Sequence, residues 1–123
     1  MKSTDYKELL VWQKSIELVK FIYLILTDFP KDERYNIIDQ IKRAAISVPS
    51  NIAEGQSREY TKDFIHFLFI SRGSLAELET QFIISKELGM INENILEDLL
   101  IRTKEINKMI GSLIDYLRKS LKK

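Results

Sequence analysis

This chain of 123 residues has no cysteine, one histidine, two prolines and four glycines. Each scarcity excludes something. Without cysteine there is no disulfide, no thiolate nucleophile and no Cys-type zinc site, and a reducing compartment is allowed. The lone histidine, His66, follows Asp63 at the i, i+3 spacing of di-metal carboxylate bundles. Such a site needs two carboxylate–histidine pairs and two further inward carboxylates, so no metal and no cofactor is expected. The glycines, at 55, 73, 89 and 111, are too scattered for a phosphate loop. Few prolines and glycines also mean little punctuation, which favours a few long helices over many short strands. No uninterrupted apolar run of about 18 residues is present, and Met1–Glu8 has no apolar stretch to act as a signal peptide. A cytoplasmic location without membrane contact is expected. An excess of either charge is missing too: 19 basic residues face 18 acidic ones, a net charge of +1. That balance argues against a strongly electrostatic nucleic-acid binder acting as a monomer, and it leaves room for a local patch.

What is present is helical periodicity. With 45% apolar and 30% charged residues, the chain reads as one soluble globular domain over residues 1–123. Helices are expected at about 9–27, 32–54, 61–88 and 92–119. In the first, Leu9, Trp12, Ile16, Val19, Tyr23 and Leu26 recur at steps of three and four. A second seam lies beside it, Val11, Leu18, Ile22, Ile25 and Phe29, interrupted by Ser15. Two seams make a face wide enough to meet two neighbours or another subunit. Phe29-Pro30 is the first break. Helix two carries Tyr35, Ile38, Ile41, Ala45, Val48 and Ile52 inward and is expected to stop at a left-handed Gly55. Thr61 is expected to cap helix three, with Tyr60 and Ile65 as a hydrophobic staple, and Gly89 to close it. Asn92 is expected to cap helix four, with Ile91 stapled to Leu96. Helices this long on short loops predict an all-α, antiparallel up-and-down four-helix bundle.

The segment from Arg43 to Gly55 is the most distinctive. It places Pro49 inside helix two, at a cost of ~3 kcal/mol or more, because proline lacks the backbone donor and crowds the carbonyl four residues earlier. Ala44 and Ala45 leave room for a kink, and Ser47 and Ser50 have hydroxyls for freed backbone groups. Pro49, Ser50, Asn51, Glu54 and Gly55 read as a structural motif. Ser47 or Ser50 with His66 and Asp63 is a candidate for a nucleophilic site. No Gly-x-Ser-x-Gly elbow accompanies them, so backbone bonding explains the serines better and no catalytic residue is assigned.

The basic residues carry the functional expectation. Lys104, Lys108, Lys119 and Lys122 fall near one stripe of helix four, with Asp115 interrupting. Arg118, Lys119, Lys122 and Lys123 crowd the C-terminus with no acid among them. Lys42, Arg43 and Arg58 flank the Pro49 segment, and Lys62 follows. Such a stripe can track a phosphate backbone, although so small a net charge makes a solvated helix face the plainer reading of the residues alone. Trp12, Tyr6, Tyr23, Tyr35, Tyr60 and Tyr116 can stack bases only if exposed. Trp12 and Tyr23 fall on the helix-one seam, which favours packing.

The text Leu10-Val11-Trp12-Gln13-Lys14, then Phe29-Pro30, Glu33-Arg34-Tyr35 and Gln40-Ile41-Lys42-Arg43-Ala44-Ala45, leads into Pro49-Ser50-Asn51-Ile52-Ala53-Glu54-Gly55. Phe64, Phe67-Leu68, Gly73-Ser74 and Glu77-Leu78 follow. Over about Tyr6 to Leu117 this resembles the bacterial four-helix-bundle family of 23S rRNA-intervening-sequence proteins. A departure is Lys42 where arginine is common, which keeps the charge and weakens bidentate phosphate contact. The resemblance implies a ring-like homopentamer. It also implies a relation to the accessory variability determinants of diversity-generating retroelements, which work with a reverse transcriptase and bind nucleic acid through a basic surface. The resulting expectation is a non-enzymatic oligomer that binds structured RNA or DNA through Lys42, Arg43, Arg58, Lys104, Lys108, Arg118 and Lys119. The alternative is an assembly adaptor for a polymerase-type protein, without direct nucleic-acid contact.

Overall fold

Residues 5–122 are described by the computed structural model, Arg34 and Tyr35 by their backbone alone. The leading residues Met1–Thr4, the inward place expected of Tyr35 and the last basic residue, Lys123, lie outside the described residues. A single turn of 3-10 helix at Tyr6–Glu8 precedes α1 (Leu10–Leu26), α2 (Asp39–Gln56), α3 (Thr61–Glu87) and α4 (Glu93–Leu121), and no strand occurs among the described residues. Cross-helix contacts run antiparallel. Arg72 meets Asn107, Glu79 meets Thr103 and Lys86 meets Glu93, while α1 touches α4 through Lys14–Glu105 and Phe21–Arg102. This is the expected up-and-down four-helix arrangement.

Local chemistry explains the ends. Asp5 accepts a hydrogen bond from the Lys7 amide at 2.9 Å and opens the first turn. Asn92 Oδ1 accepts from the Ile95 amide at 2.9 Å, the expected cap of α4, and Ile91 and Leu96 are both buried beside it. Gly89 sits at φ +80° after α3. The Met90 amide reaches Ser85 O at 2.8 Å and the Gly89 amide reaches Lys86 O at 3.0 Å, the paired bonds of a Schellman ending. Lys86 also bonds Glu93 across this turn at 3.3 Å. Hydrogen bonding to that carboxylate, then its charge, raises the Lys86 pKa.

Four sequence expectations are corrected. In α1 the buried residues are Val11, Ser15, Leu18, Ile22 and Leu26, so the seam interrupted by serine faces the core and takes over Leu26 from the other. Ser15 fits because its hydroxyl donates to Val11 O at 2.8 Å. Trp12, Ile16 and Val19 are half-buried, and Tyr23 is exposed with the Lys42 ammonium 5.2 Å above its ring. Helix two is not continuous from residue 32. A 3-10 turn at Lys31–Glu33 and a π turn at Arg34–Ile38 come first, with Asn36 at φ −116°, ψ −105°. The spacing of Ile38, Ile41, Ala45, Val48 and Ile52 stays regular from the end of that turn, which conceals the irregularity in the sequence.

Gly55 is not a left-handed stop. It lies buried inside α2, and Gly89 is the one glycine with positive φ among the described residues. An added Cβ at Gly55 would stand 2.8 Å from Phe67 Cβ and 2.9 Å from Phe64 Cδ1. Close approach of α3, rather than backbone handedness, demands glycine here. Finally, Thr61 is the first residue of α3 and Tyr60 occupies the cap position without a side-chain bond. Tyr60 is 65% exposed, so it is no staple.

α2 passes through the buried Pro49 from Asp39 to Gln56. Hydroxyls from α3 line its flank. Ser71 Oγ donates to Val48 O at 2.9 Å and Ser74 Oγ to Ser47 Oγ at 2.9 Å. Asn51 Nδ2 donates to Ser47 O and Ser47 Oγ, both at 2.8 Å. The hydroxyl that reaches backbone beside the proline therefore comes from the neighbouring helix, while Ser50 points to solvent. Small side chains along this seam let α2 and α3 form the most extensively packed helix pair.

Candidate nucleic-acid interface

The capped, uninterrupted α4 sets the phase of its outer face. At 100° per residue, Lys104, Lys108, Arg118 and Lys119 fall within an arc of roughly 100°. All four are exposed. Lys104 and Lys108 line an open trough with Arg72, Asn107, Gly111 and Asp115. Arg72 comes from α3 and is fixed by its Nε–H, which donates to Asn107 Oδ1 at 3.0 Å. Its guanidinium and that of Arg118 approach the exposed ring of Phe69, at 5.8 and 5.4 Å.

Ion pairing divides the seven expected residues. Arg43 is tied to Asp39 at 3.3 Å and Arg58 to Glu54 at 2.9 Å, each one helical turn away. Arg58 also lies 4.9 Å over the Phe67 ring. Lys104, Lys108, Arg118 and Lys119 make no ion pair among the described residues. Glu105, the nearest acid in sequence to Lys104, turns to Lys14 on α1 at 3.8 Å. Lys42 is also without a carboxylate, but it stands over Tyr23 on the α1–α2 side, apart from the others. The structure thus sets Lys104, Lys108, Arg118 and the adjacent Lys119 along one face of α4 and leaves Lys42, Arg43 and Arg58 elsewhere. Asp115 lines the same trough, as the interruption read in the sequence.

Arg72, Phe69 and Asn107 were not singled out by the sequence. Their signal was present: with Leu68, Ser71 and Leu75 on the buried seam, Phe69 and Arg72 must flank it. What periodicity could not supply is that α4 brings Arg118 to the same ring.

The serines set aside as nucleophiles in the sequence have other neighbours here. Ser47 is occupied by Asn51 and Ser74, and exposed His66 packs edge-on against Phe67 with centroids 5.5 Å apart. No group of three or more metal-ligating side chains occurs among the described residues, and no helix there is long and apolar enough to cross a membrane.

Residues 7–112 match the sequence pattern of the 23S rRNA-intervening sequence proteins. The chain belongs to that family. A solved member of the S23 ribosomal protein family from Bacteroides thetaiotaomicron, described as a protein with unknown function, is similar in structure with a TM-score of 0.76. Its identity to this intervening-sequence protein is 27%, over 85% of this chain and 98% of that one. No curated protein matches. The matched segment holds the Pro49 block, Arg72, Lys104 and Lys108; Arg118 and Lys119 lie beyond it.

Proposed function

We propose that this family member is a non-enzymatic, self-associating cytoplasmic bundle that binds structured RNA or other nucleic acid through the outer face of α4 and Arg72. The observation that carries this reading is the placement of Arg72, Lys104, Lys108 and Arg118 along one open face with no carboxylate partner among the described residues. A cation already held by an i+4 carboxylate must give up that contact to meet phosphate; these four have none to give up. The family relation, with its link to ribosomal RNA genes, supports the same reading. A small net charge weakens a single copy, and repetition of the face in a homopentamer would raise avidity.

Self-association is part of the proposal. Ile70, Ile83 and Ile84 are exposed on α3, alongside exposed Gly73 and Ala76. Those exposed apolar positions favour a protein contact, and a second copy is the occupant consistent with the resemblance to ring-forming relatives. The adaptor reading would place a polymerase-type partner there instead.

The test is an anisotropy titration against a structured RNA and a matched duplex DNA at low and moderate salt. Binding that weakens steeply with salt is expected, because displaced phosphate counterions drive it. Absence of binding by folded protein at low salt would overturn the reading. A partner retained from lysate after nuclease treatment, with no RNA affinity, is the result the adaptor reading expects.

A further inference from the structure

Most phenylalanines here have an internal task. Phe29 and Phe82 are buried, Phe64 and Phe67 close over Gly55, and Phe21 lies 4.0 Å beneath Arg102, itself tied to Asp98. Phe69 differs. Its side chain is 42% exposed on the outer side of α3, and guanidiniums from two helices flank its ring. At 5.8 and 5.4 Å both are more loosely placed than Arg102, and neither pairs with a carboxylate among the described residues. Among the described residues Arg118 has no other anchor, so it can leave the ring for a ligand at little cost.

An exposed phenyl ring adds nothing to a duplex phosphate backbone, because paired bases hide their faces. An unpaired base does offer a face, and stacking it on an aromatic ring contributes ~1–3 kcal/mol. Arginine serves both parts of such a ligand, stacking on the base or taking phosphate oxygens in parallel hydrogen bonds. We propose that Phe69, between Arg72 and Arg118, is a stacking platform for an unpaired nucleobase. The basic face then prefers single-stranded segments, with Lys104 and Lys108 on the neighbouring phosphates. This rests on the nucleic-acid reading above and narrows its ligand.

The experiment compares a short labelled oligoadenylate with a blunt duplex of equal phosphate number, for the wild type, Phe69→Ala, Phe69→Trp and Lys104→Glu. The wild type should favour the single strand. Phe69→Ala should lose roughly 5- to 100-fold for the single strand and nothing for the duplex, with its salt dependence unchanged, since stacking releases no counterions. Phe69→Trp should retain binding. Lys104→Glu should weaken both ligands and flatten the salt dependence. Phe69→Leu, which keeps apolar bulk without a π face, gives the same reading should Phe69→Ala fail to fold. Unchanged single-strand affinity in the folded Ala or Leu variant overturns the platform while leaving the basic face standing. If the wild type binds neither ligand at low salt, both fall.

Discussion

Gly55 and Phe67 are in such close register that a β-carbon on the glycine would meet that of the phenylalanine at 2.8 Å. The nearest contact is with a β-carbon fixed to the α3 backbone, and the Phe64 carbonyl lies close as well, so α2 and α3 would have to separate. Gly55→Ala should destabilise the fold by about 1–3 kcal/mol, and Gly55→Val by more. Gly111 is the counterexample: it is helical, and an added Cβ meets nothing within 4 Å. Gly111→Ala should stabilise by up to about 1 kcal/mol through helix propensity. Urea melts of the three variants check the contrast; equal midpoints for Gly55→Ala and the wild type would refute the close packing.

The hydroxyl seam gives a second prediction. Ser71 Oγ is buried and donates to Val48 O, next to the helical proline. Ser71→Ala should cost about 0.5–1.5 kcal/mol, the net worth of one hydrogen bond. Ala45, with no exposed surface, should tolerate leucine poorly, at about 1–3 kcal/mol by overpacking. Thermal melts decide both, and an unchanged midpoint in Ala45→Leu would show slack beside Pro49.

Charge substitutions should separate the two groups of basic residues. Lys104→Glu with Lys108→Glu should abolish most RNA affinity at moderate salt. Arg43→Ala and Arg58→Ala should change it little, since Asp39 and Glu54 already hold those guanidiniums. Asp115→Asn, which removes the acid from the trough, should strengthen binding. Titrations at matched ionic strength report all of these, and loss of affinity on Arg58→Ala alone would relocate the site to the α2–α3 turn.

Self-association can be tested on α3. Ile83→Glu with Ile84→Glu places charge on exposed apolar positions and should leave the fold intact. Sedimentation of the double variant should shift from oligomer to monomer. An oligomer of unchanged mass would move the contact to another face.

Short-range signals were legible in the sequence. Asn92 caps α4, Gly89 closes α3 and Phe29-Pro30 ends the first helix because each acts on groups within a turn or two of itself. The α4 stripe was legible for the same reason, since a regular helix converts spacing directly into a face. Gly55 was misread because glycine satisfies two demands, left-handed backbone and close approach, and composition does not tell them apart.

By itself, then, the sequence determined four long helices, most of their ends and a basic side to the last one, all consequences of periodicity and local backbone chemistry. Tertiary structure decided which of two adjacent α1 seams faces inward, where the turn at Asn36 departs from helix, which arginines are held by carboxylates, and that Phe69 of α3 meets Arg118 of α4. Those outcomes depend on which helices are neighbours and how closely they approach, quantities that no spacing along a single helix contains.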